Sequence, residues 1–377
     1  MVEVRLEDLR KTFRTISGTT VAVEGTNLTI EDGEFFTFVG PSGCGKTTTL
    51  RMIAGLETPT SGSIYFDDVE VTELTPQDRD IAMVFQDITL YPNMSVQENI
   101  GYGLKVRGET ENYDEKIEDI AELLGIKELL DNKPGQLSGG QQQRVSLGRA
   151  LVRDPNLILF DEPLSDLDAK LKNDLRVRIQ RLHEQFGTTM IYVTHDQEEA
   201  ITMSDRIAVM RDGKLAQVST PEELFDSPAS DFVGNFIGQP SMNFFRGARL
   251  DGNVIEFDSE RKRQIVVDDG VVPDYAQGKE VDLGIRPQHI SICDAGDGLF
   301  TAAVDVIEMI GTEHVVYLLD EDEEQLRVLV DDDPGFERGD EVGLTTPDKL
   351  YVFDGETGDR IVEIELEHIE LRQNPKP

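Results

Sequence analysis

Three short stretches of this chain combine residue types and spacings that serve phosphate chemistry. The first, Gly40-Pro41-Ser42-Gly43-Cys44-Gly45-Lys46-Thr47, fits G-x-x-x-x-G-K-[ST], between a strand-like FFTFVG and a helix-like TTTLRMIAGL. Its glycines let the backbone wrap close to an anion, and the N–H groups at the helix start, through Thr48, point at it. Lys46 supplies a point charge to the β- and γ-phosphates of a nucleotide, and Thr47 offers a hydroxyl to Mg²⁺. Cys44 reads as a small loop residue. The second stretch, Leu157-Ile-Leu-Phe-Asp161-Glu162, is an apolar strand ending in two carboxylates. Beside a phosphate loop, such a strand delivers Asp161 to the Mg²⁺ shell and sets Glu162 to accept a proton from an attacking water. The third, Leu137-Ser138-Gly139-Gly140-Gln141, precedes a helix-like VSLGRALVR and makes a second anion site suited to a γ-phosphate.

The elements that must hold these groups are legible as periodicity. Residues 1 to about 235 alternate short apolar runs with amphipathic stretches, the pattern of an α/β domain. Strands are expected at Glu34–Val39, Ile81–Phe85, Leu157–Phe160, Met190–Thr194 and Arg206–Met210. Ile117, Ile120, Ala121 and Leu124 fall on one helical face, within a helical insertion spanning roughly 87 to 150. After a linker rich in Gly, Pro and Asn at 234 to 245, the region 236–377 changes to short alternating runs with Gly, Asp and Pro turns, as in a small β-barrel.

Together the three stretches resemble the ATP-binding-cassette (ABC) ATPases. That resemblance implies an α/β P-loop ABC ATPase domain with a helical insertion, followed by a C-terminal all-β OB-like, transport-associated domain, with ATP and Mg²⁺ as cofactors. It also implies further site residues. Gln86, in MVFQ, matches the loop glutamine that joins the metal site to the helical insertion and the membrane partner. Ser165-Asp166-Leu167-Asp168 matches the loop that crosses a dimer interface, and Asp166 is placed with the nucleotide-binding residues. His195, in YVTHD, matches the histidine that contacts the γ-phosphate and orients the water. Phe13 falls where an aromatic ring stacks on adenine, with three residues (TIS) added just after it. In this family the phosphate loop of one subunit and the LSGGQ of another clamp the same ATP, so each site is incomplete in a monomer.

Within the family, GPSGCGKTTTLRMIAGLE, MVFQDITLYPNMSVQENI, DEPLSDLDAKL, VTHDQEEA, FIGQPSMNF and GIRPQH are most similar to ATPases of maltose and glycerol-phosphate type importers. Asp87-Ile88-Thr89 departs from the small and aromatic residues usual after the loop glutamine. The implied role is ATP hydrolysis coupled to carbohydrate uptake at the cytoplasmic face of the cell membrane. The implied partners are two integral-membrane permease subunits, an extracellular solute-binding protein, and a second copy or a similar ATPase. Import of glycerol phosphate, a polyol or another solute is the alternative. A translation factor would carry two cassettes, and a DNA-repair ATPase would interrupt its cassette with a long coiled coil; neither pattern is present.

Charge adds an independent constraint. With 74 Asp and Glu against 36 Lys and Arg, the formal net charge is -38, which repels nucleic acid. No apolar run approaches the roughly 20 residues of a membrane-spanning helix, and the charged start MVEVRLEDLRK lacks a signal peptide's apolar stretch. Cys44 and Cys293, the only two cysteines, indicate neither a disulfide framework nor a metal site. The acid is spread along the chain rather than confined to a tail, as on a solvated surface adapted to a salt-rich cytoplasm, where counter-ions screen self-repulsion. Folding and ATPase activity are therefore expected to need molar salt; full activity in dilute buffer would contradict that adaptation.

Overall fold

A computed structural model of the chain describes every residue except 17, 110, 166, 257–263, 297, 299, 321–322, 333–334, 346–347, 366–368 and 373–377. It divides into two compact units, Met1–Pro221 and Glu222–Pro377.

The first unit is built on two sheets. β1 (Val4–Thr15), β2 (Gly18–Ile30), β4 (Ser61–Phe66) and β5 (Val69–Glu70) form an antiparallel sheet in the order β2-β1-β4-β5. The second sheet contains β3 (Phe35–Val39), β6 (Ile81–Val84), β7 (Leu157–Asp161), β8 (Thr189–Thr194), β9 (Arg206–Arg211) and β10 (Lys214–Ser219). Its order is β10-β9-β3-β8-β7-β6, parallel from β9 to β6 and antiparallel only at β10. All five expected strands of this unit are present. β3, β7 and β8 are buried at every position, as in a parallel sheet covered on both faces.

Side-chain alternation splits the interior into two cores. Phe36, Phe38, Leu157, Leu159, Ile191 and Val193 face one core with the antiparallel sheet and α1 (Lys46–Ile53). Phe35, Ile158, Phe160, Met190 and Tyr192 face the other. That second core is closed by α2 (Val96–Arg107), α3 (Tyr113–Leu123), α4 (Gly139–Leu151) and α5 (Ala169–Phe186). A short α6 (Gln197–Met203) follows β8. α2 to α4 form the expected helical insertion, and α3 buries Ile117, Ile120 and Ala121 as its periodicity requires. Among the described residues only Glu34, Asp161, Glu199 and Asp282 are buried acids, so the negative charge is carried on the surface.

Among its described residues the second unit is all-β apart from two short helices and two single 3₁₀ turns. Its strands make a seven-stranded and a five-stranded sheet around one core that includes Leu250, Ile255, Leu283, Val316, Leu326 and Val352. The change in hydropathy pattern sets a domain boundary near 235, whereas compactness divides the chain at 221/222. Arg286 accounts for the difference. Its buried guanidinium donates to the carbonyls of Phe225 (2.8 Å), Gly234 (3.0 Å) and Ile237, holding the helices at Pro221–Asp226 and Asp231–Phe236. A buried cation bonded to backbone has no hydropathy signature.

Arg79 plays a comparable part in the first unit. It donates to Met52 O (2.7 Å), Ile53 O (2.8 Å), Thr72 O (2.9 Å) and Leu74 O (3.0 Å), capping the last carbonyls of α1. Burial lowers its pKa to about 10, which leaves it charged at neutral pH. Arg79→Met strands these carbonyls; each buried unsatisfied group costs about 1–3 kcal/mol. A loss of about 3 kcal/mol is expected, lowering the Tm of the first unit by roughly 6–12 °C in calorimetry. An unchanged Tm would show that water replaces the guanidinium without cost.

Candidate active site

The parallel sheet brings the sequence-predicted residues to one edge. Val39 pairs with Thr194, Asp161 with Val193, and Val84 with Phe160. The loop after β3, the carboxylates at the end of β7, His195 after β8 and Gln86 after β6 therefore all leave the sheet at its C-terminal side, where open α/β sheets bind ligands.

Between β3 and α1 the backbone makes a loop that only glycine permits at its ends. A Cβ on Gly40 would lie 2.4 Å from Met210 O, and one on Gly45 (φ 107°) 2.4 Å from Ala22 O. Gly45 caps α1 without a side-chain bond, so the first N–H groups of the helix, from Lys46 to Thr48, have no intrahelical acceptor. Pro41, Ser42 and Gly43 are exposed along the loop. Lys46 is 4% exposed and donates from Nζ to Gly40 O (2.7 Å) and Pro41 O (3.1 Å), which keeps its ammonium inside the loop. Burial pushes the Cys44 thiol pKa up, against the opposing pull of Lys46, so this cysteine packs rather than reacts.

Beside α1, Thr47 Oγ1 donates to Asp161 Oδ1 at 2.9 Å. Burial raises the Asp161 pKa, while the Thr47 bond and Arg51, 3.9 Å away, pull it down. Among the described residues no three His, Cys, Asp or Glu side chains gather into a metal cage. The Thr47–Asp161 oxygen pair instead fits Mg²⁺, an ion that takes one or two protein oxygens and completes its shell with phosphate and water. Gln86 is exposed, two residues beyond β6 on the strand adjoining β7.

Glu162 adopts φ 45°, a left-handed conformation costing about 1–2 kcal/mol in a non-glycine residue. Its N–H donates to Val193 O (3.0 Å), and its carbonyl accepts from Ser165 Oγ (3.1 Å). The turn aims its side chain across to β8, where Oε2 meets His195 Nδ1 at 2.7 Å. His195 is half exposed, with Nδ1 engaged by Glu162.

The other predicted residues lie elsewhere. Ser138 caps α4 through a reciprocal box with Gln141: Ser138 Oγ accepts from Gln141 N–H (3.4 Å), and Gln141 Oε1 accepts from Ser138 N–H (2.9 Å). Ser138 and Gly139 are exposed, and Gly140 is buried against Leu171. No hydrogen bond or ion pair joins Ser138–Gln141 to the phosphate loop among the described residues. Phe13 lies on β1 opposite Thr20, partly exposed, with Lys11 Nζ 5.1 Å from its ring centroid. Thr15, the first residue of the TIS addition, pairs with Gly18 at the end of the β1–β2 hairpin, and Ser17 lies outside the described residues. Asp166 lies outside the described residues. Arg51, Lys172 and Glu199 also surround the site; Arg51 and Glu199 fall inside the stretches GPSGCGKTTTLRMIAGLE and VTHDQEEA without a role of their own in the sequence reading, and Lys172 lies one turn beyond the cap Asp168 of α5.

Known proteins resemble this chain in sequence and in fold. The family model for the ABC transporter matches residues 23–165, and that for the TOBE domain matches residues 283–353. The chain is 48% identical to the sulfoquinovosyl glycerol transport ATP-binding protein SmoE of Agrobacterium fabrum, over 84% of this chain and 87% of that one. It is 46% identical to the xylose/arabinose import ATP-binding protein XacJ of Haloferax volcanii, over 95% of both. Among solved structures, a dimeric ATP-binding cassette in a post-hydrolysis state with ADP and Pi is similar at a TM-score of 0.53 and 33% identity. That match covers 58% of this chain and 98% of the other. A phosphate loop, an Asp-Glu strand and an LSGGQ helix in one α/β unit, with relatives alike over nearly the whole length, place this chain in the ABC transporter family as an ATP-binding subunit that carries a TOBE domain.

Proposed function

We propose that this chain hydrolyses ATP to drive import of a carbohydrate, working as a peripheral subunit on the cytoplasmic face of the membrane with two permease subunits and an extracellular solute-binding protein. The observation that carries the chemical half is the Glu162–His195 contact of 2.7 Å beside the Thr47–Asp161 pair. The solute class is supported by the relatives, whose names specify sulfoquinovosyl glycerol and xylose/arabinose. Among the described residues no helix is long and apolar enough to cross a membrane, which agrees with a need for spanning partners.

In this reading Lys46 and the amides of the Gly40–Thr48 loop bind the triphosphate, and Phe13 supports the adenine. Thr47, Asp161 and Gln86 hold Mg²⁺, which when bound neutralises charge on the β- and γ-phosphates. Glu162 takes the proton of the attacking water, and His195, oriented through Nδ1, presents Nε2 toward the γ-phosphate. The exposed cap of α4, formed by Ser138 and Gly139 with Gly140 and Gln141 behind them, serves the nucleotide of a second subunit, so two copies or two similar ATPases are required. Nucleotide holds the pair closed, hydrolysis releases it, and the permeases follow.

Two outcomes test this. Glu162→Gln is expected to keep ATP binding, lower turnover at least about 100-fold, and run as an ATP-dependent dimer in sedimentation; near-normal phosphate release would remove Glu162 as the base. In the native host, deletion of the gene is expected to abolish growth on at least one member of a panel of pentoses, hexoses and oligosaccharides. Wild type but not Glu162→Gln should restore that growth, and growth unaffected across the panel would overturn carbohydrate import.

A further inference from the structure

Glu199 is a buried acid that no step above uses. It lies in the first turn of α6 with 4% of its surface exposed. Its Oε2 accepts two bonds from β8, from Tyr192 Oη at 2.9 Å and Thr194 Oγ1 at 2.8 Å. Thr194 Oγ1 in turn accepts the N–H of Asp196 at 2.9 Å. One hydroxyl therefore bridges the residues before and after His195, and Glu199 fixes that hydroxyl from behind. Asp196 also caps α6, its Oδ1 accepting from the N–H groups of Glu198 (3.0 Å) and Glu199 (3.3 Å). From α5, whose cap Asp168 ends the Ser165–Asp168 loop, Lys172 Nζ approaches Asp196 Oδ2 at 3.4 Å and Glu199 Oε1 at 3.7 Å.

A carboxylate at this depth is poor material for stability alone, since apolar packing of similar volume is often as stable or more so. It does supply direction. Tyr192 and Thr194 project from the same face of β8, while Val193 between them faces the other core. Burial, and then the Glu199 charge, pushes the Tyr192 phenol pKa well above its ordinary value, so the phenol remains a donor. Both acceptor positions on Oε2 are thus spent on β8, the strand that ends immediately before His195.

We propose that Glu199 is a positioning residue for His195, holding the Thr194 hydroxyl so that the loop keeps Nδ1 against Glu162, with Lys172 linking the same cluster to the helix that follows the Ser165–Asp168 loop. The proposal rests on the roles assigned above to Glu162 and His195, and its test separates the two. On the full-length chain, steady-state ATP hydrolysis, affinity for a fluorescent ATP analogue and Tm are measured for Glu199→Ala, Glu199→Gln, Thr194→Val, His195→Ala and the double variant Glu199→Ala/His195→Ala.

Glu199→Ala is expected to lower kcat about 10-fold, with KM and analogue affinity within about 2-fold, because misplacement of about 1 Å costs up to roughly 100-fold in the chemical step. Glu199→Gln, whose amide oxygen accepts both hydroxyls, should recover most of the loss, and Thr194→Val should reproduce it. The double variant should be no slower than His195→Ala, since Glu199 acts through that residue. Unchanged kcat in Glu199→Ala, a loss that multiplies with that of His195→Ala, or an equal loss in affinity would overturn the proposal. If Glu199→Ala does not fold, the near-isosteric Thr194→Val decides, and wild-type kcat there overturns it. Wild-type turnover in His195→Ala would instead overturn the assignment of His195, and the proposal with it.

Discussion

A parallel sheet sealed on both faces leaves its polar groups one way out. β3, β7 and β8 have no exposed side chain, so the charged residues they position lie at or just past their C-terminal ends. The βα turns at the C-terminal edge are where the chain reverses and helix N-termini converge. Lys46, Asp161, Glu162 and His195 occupy that edge on three hydrogen-bonded neighbours, β3, β8 and β7. Strand register brings them to one edge, and the Glu162–His195 and Thr47–Asp161 contacts fix them there.

Within that frame the site uses opposed forces. Asp161 is buried far enough to raise its pKa, yet Thr47 and Arg51 favour its charged form. Glu162 sits in a strained backbone conformation, and the strain is offset by a strand hydrogen bond and the Ser165 hydroxyl on either side. These features over-determine the direction of two side chains whose chemistry depends on direction.

How much of this was legible depends on whether a residue's role is local. The phosphate loop, the Asp-Glu strand and the LSGGQ cap were readable because each acts through its own backbone turn or helix end. The central strands followed from apolar runs flanked by turn signals. The antiparallel sheet of β1, β2, β4 and β5 was not anticipated, because its strands carry register shifts and many exposed positions that blur a period of two. The structural parts played by Arg79, Arg286 and Glu199 were equally hidden, although Arg286 and Glu199 fall within the stretches GIRPQH and VTHDQEEA. Each is a charged residue whose partners are far off or on other elements, and a single sequence assigns such residues to the surface by default.

The cap of α4 has a consequence of its own. Ser138 Oγ accepts the Gln141 N–H with a lone pair, which leaves the hydroxyl hydrogen unspent. One atom is therefore able to terminate its own helix and offer a proton to an anion brought by a neighbouring molecule. Under the proposed pairing of two subunits, helix integrity and anion recognition draw on that one oxygen, so a substitution at Ser138 touches both.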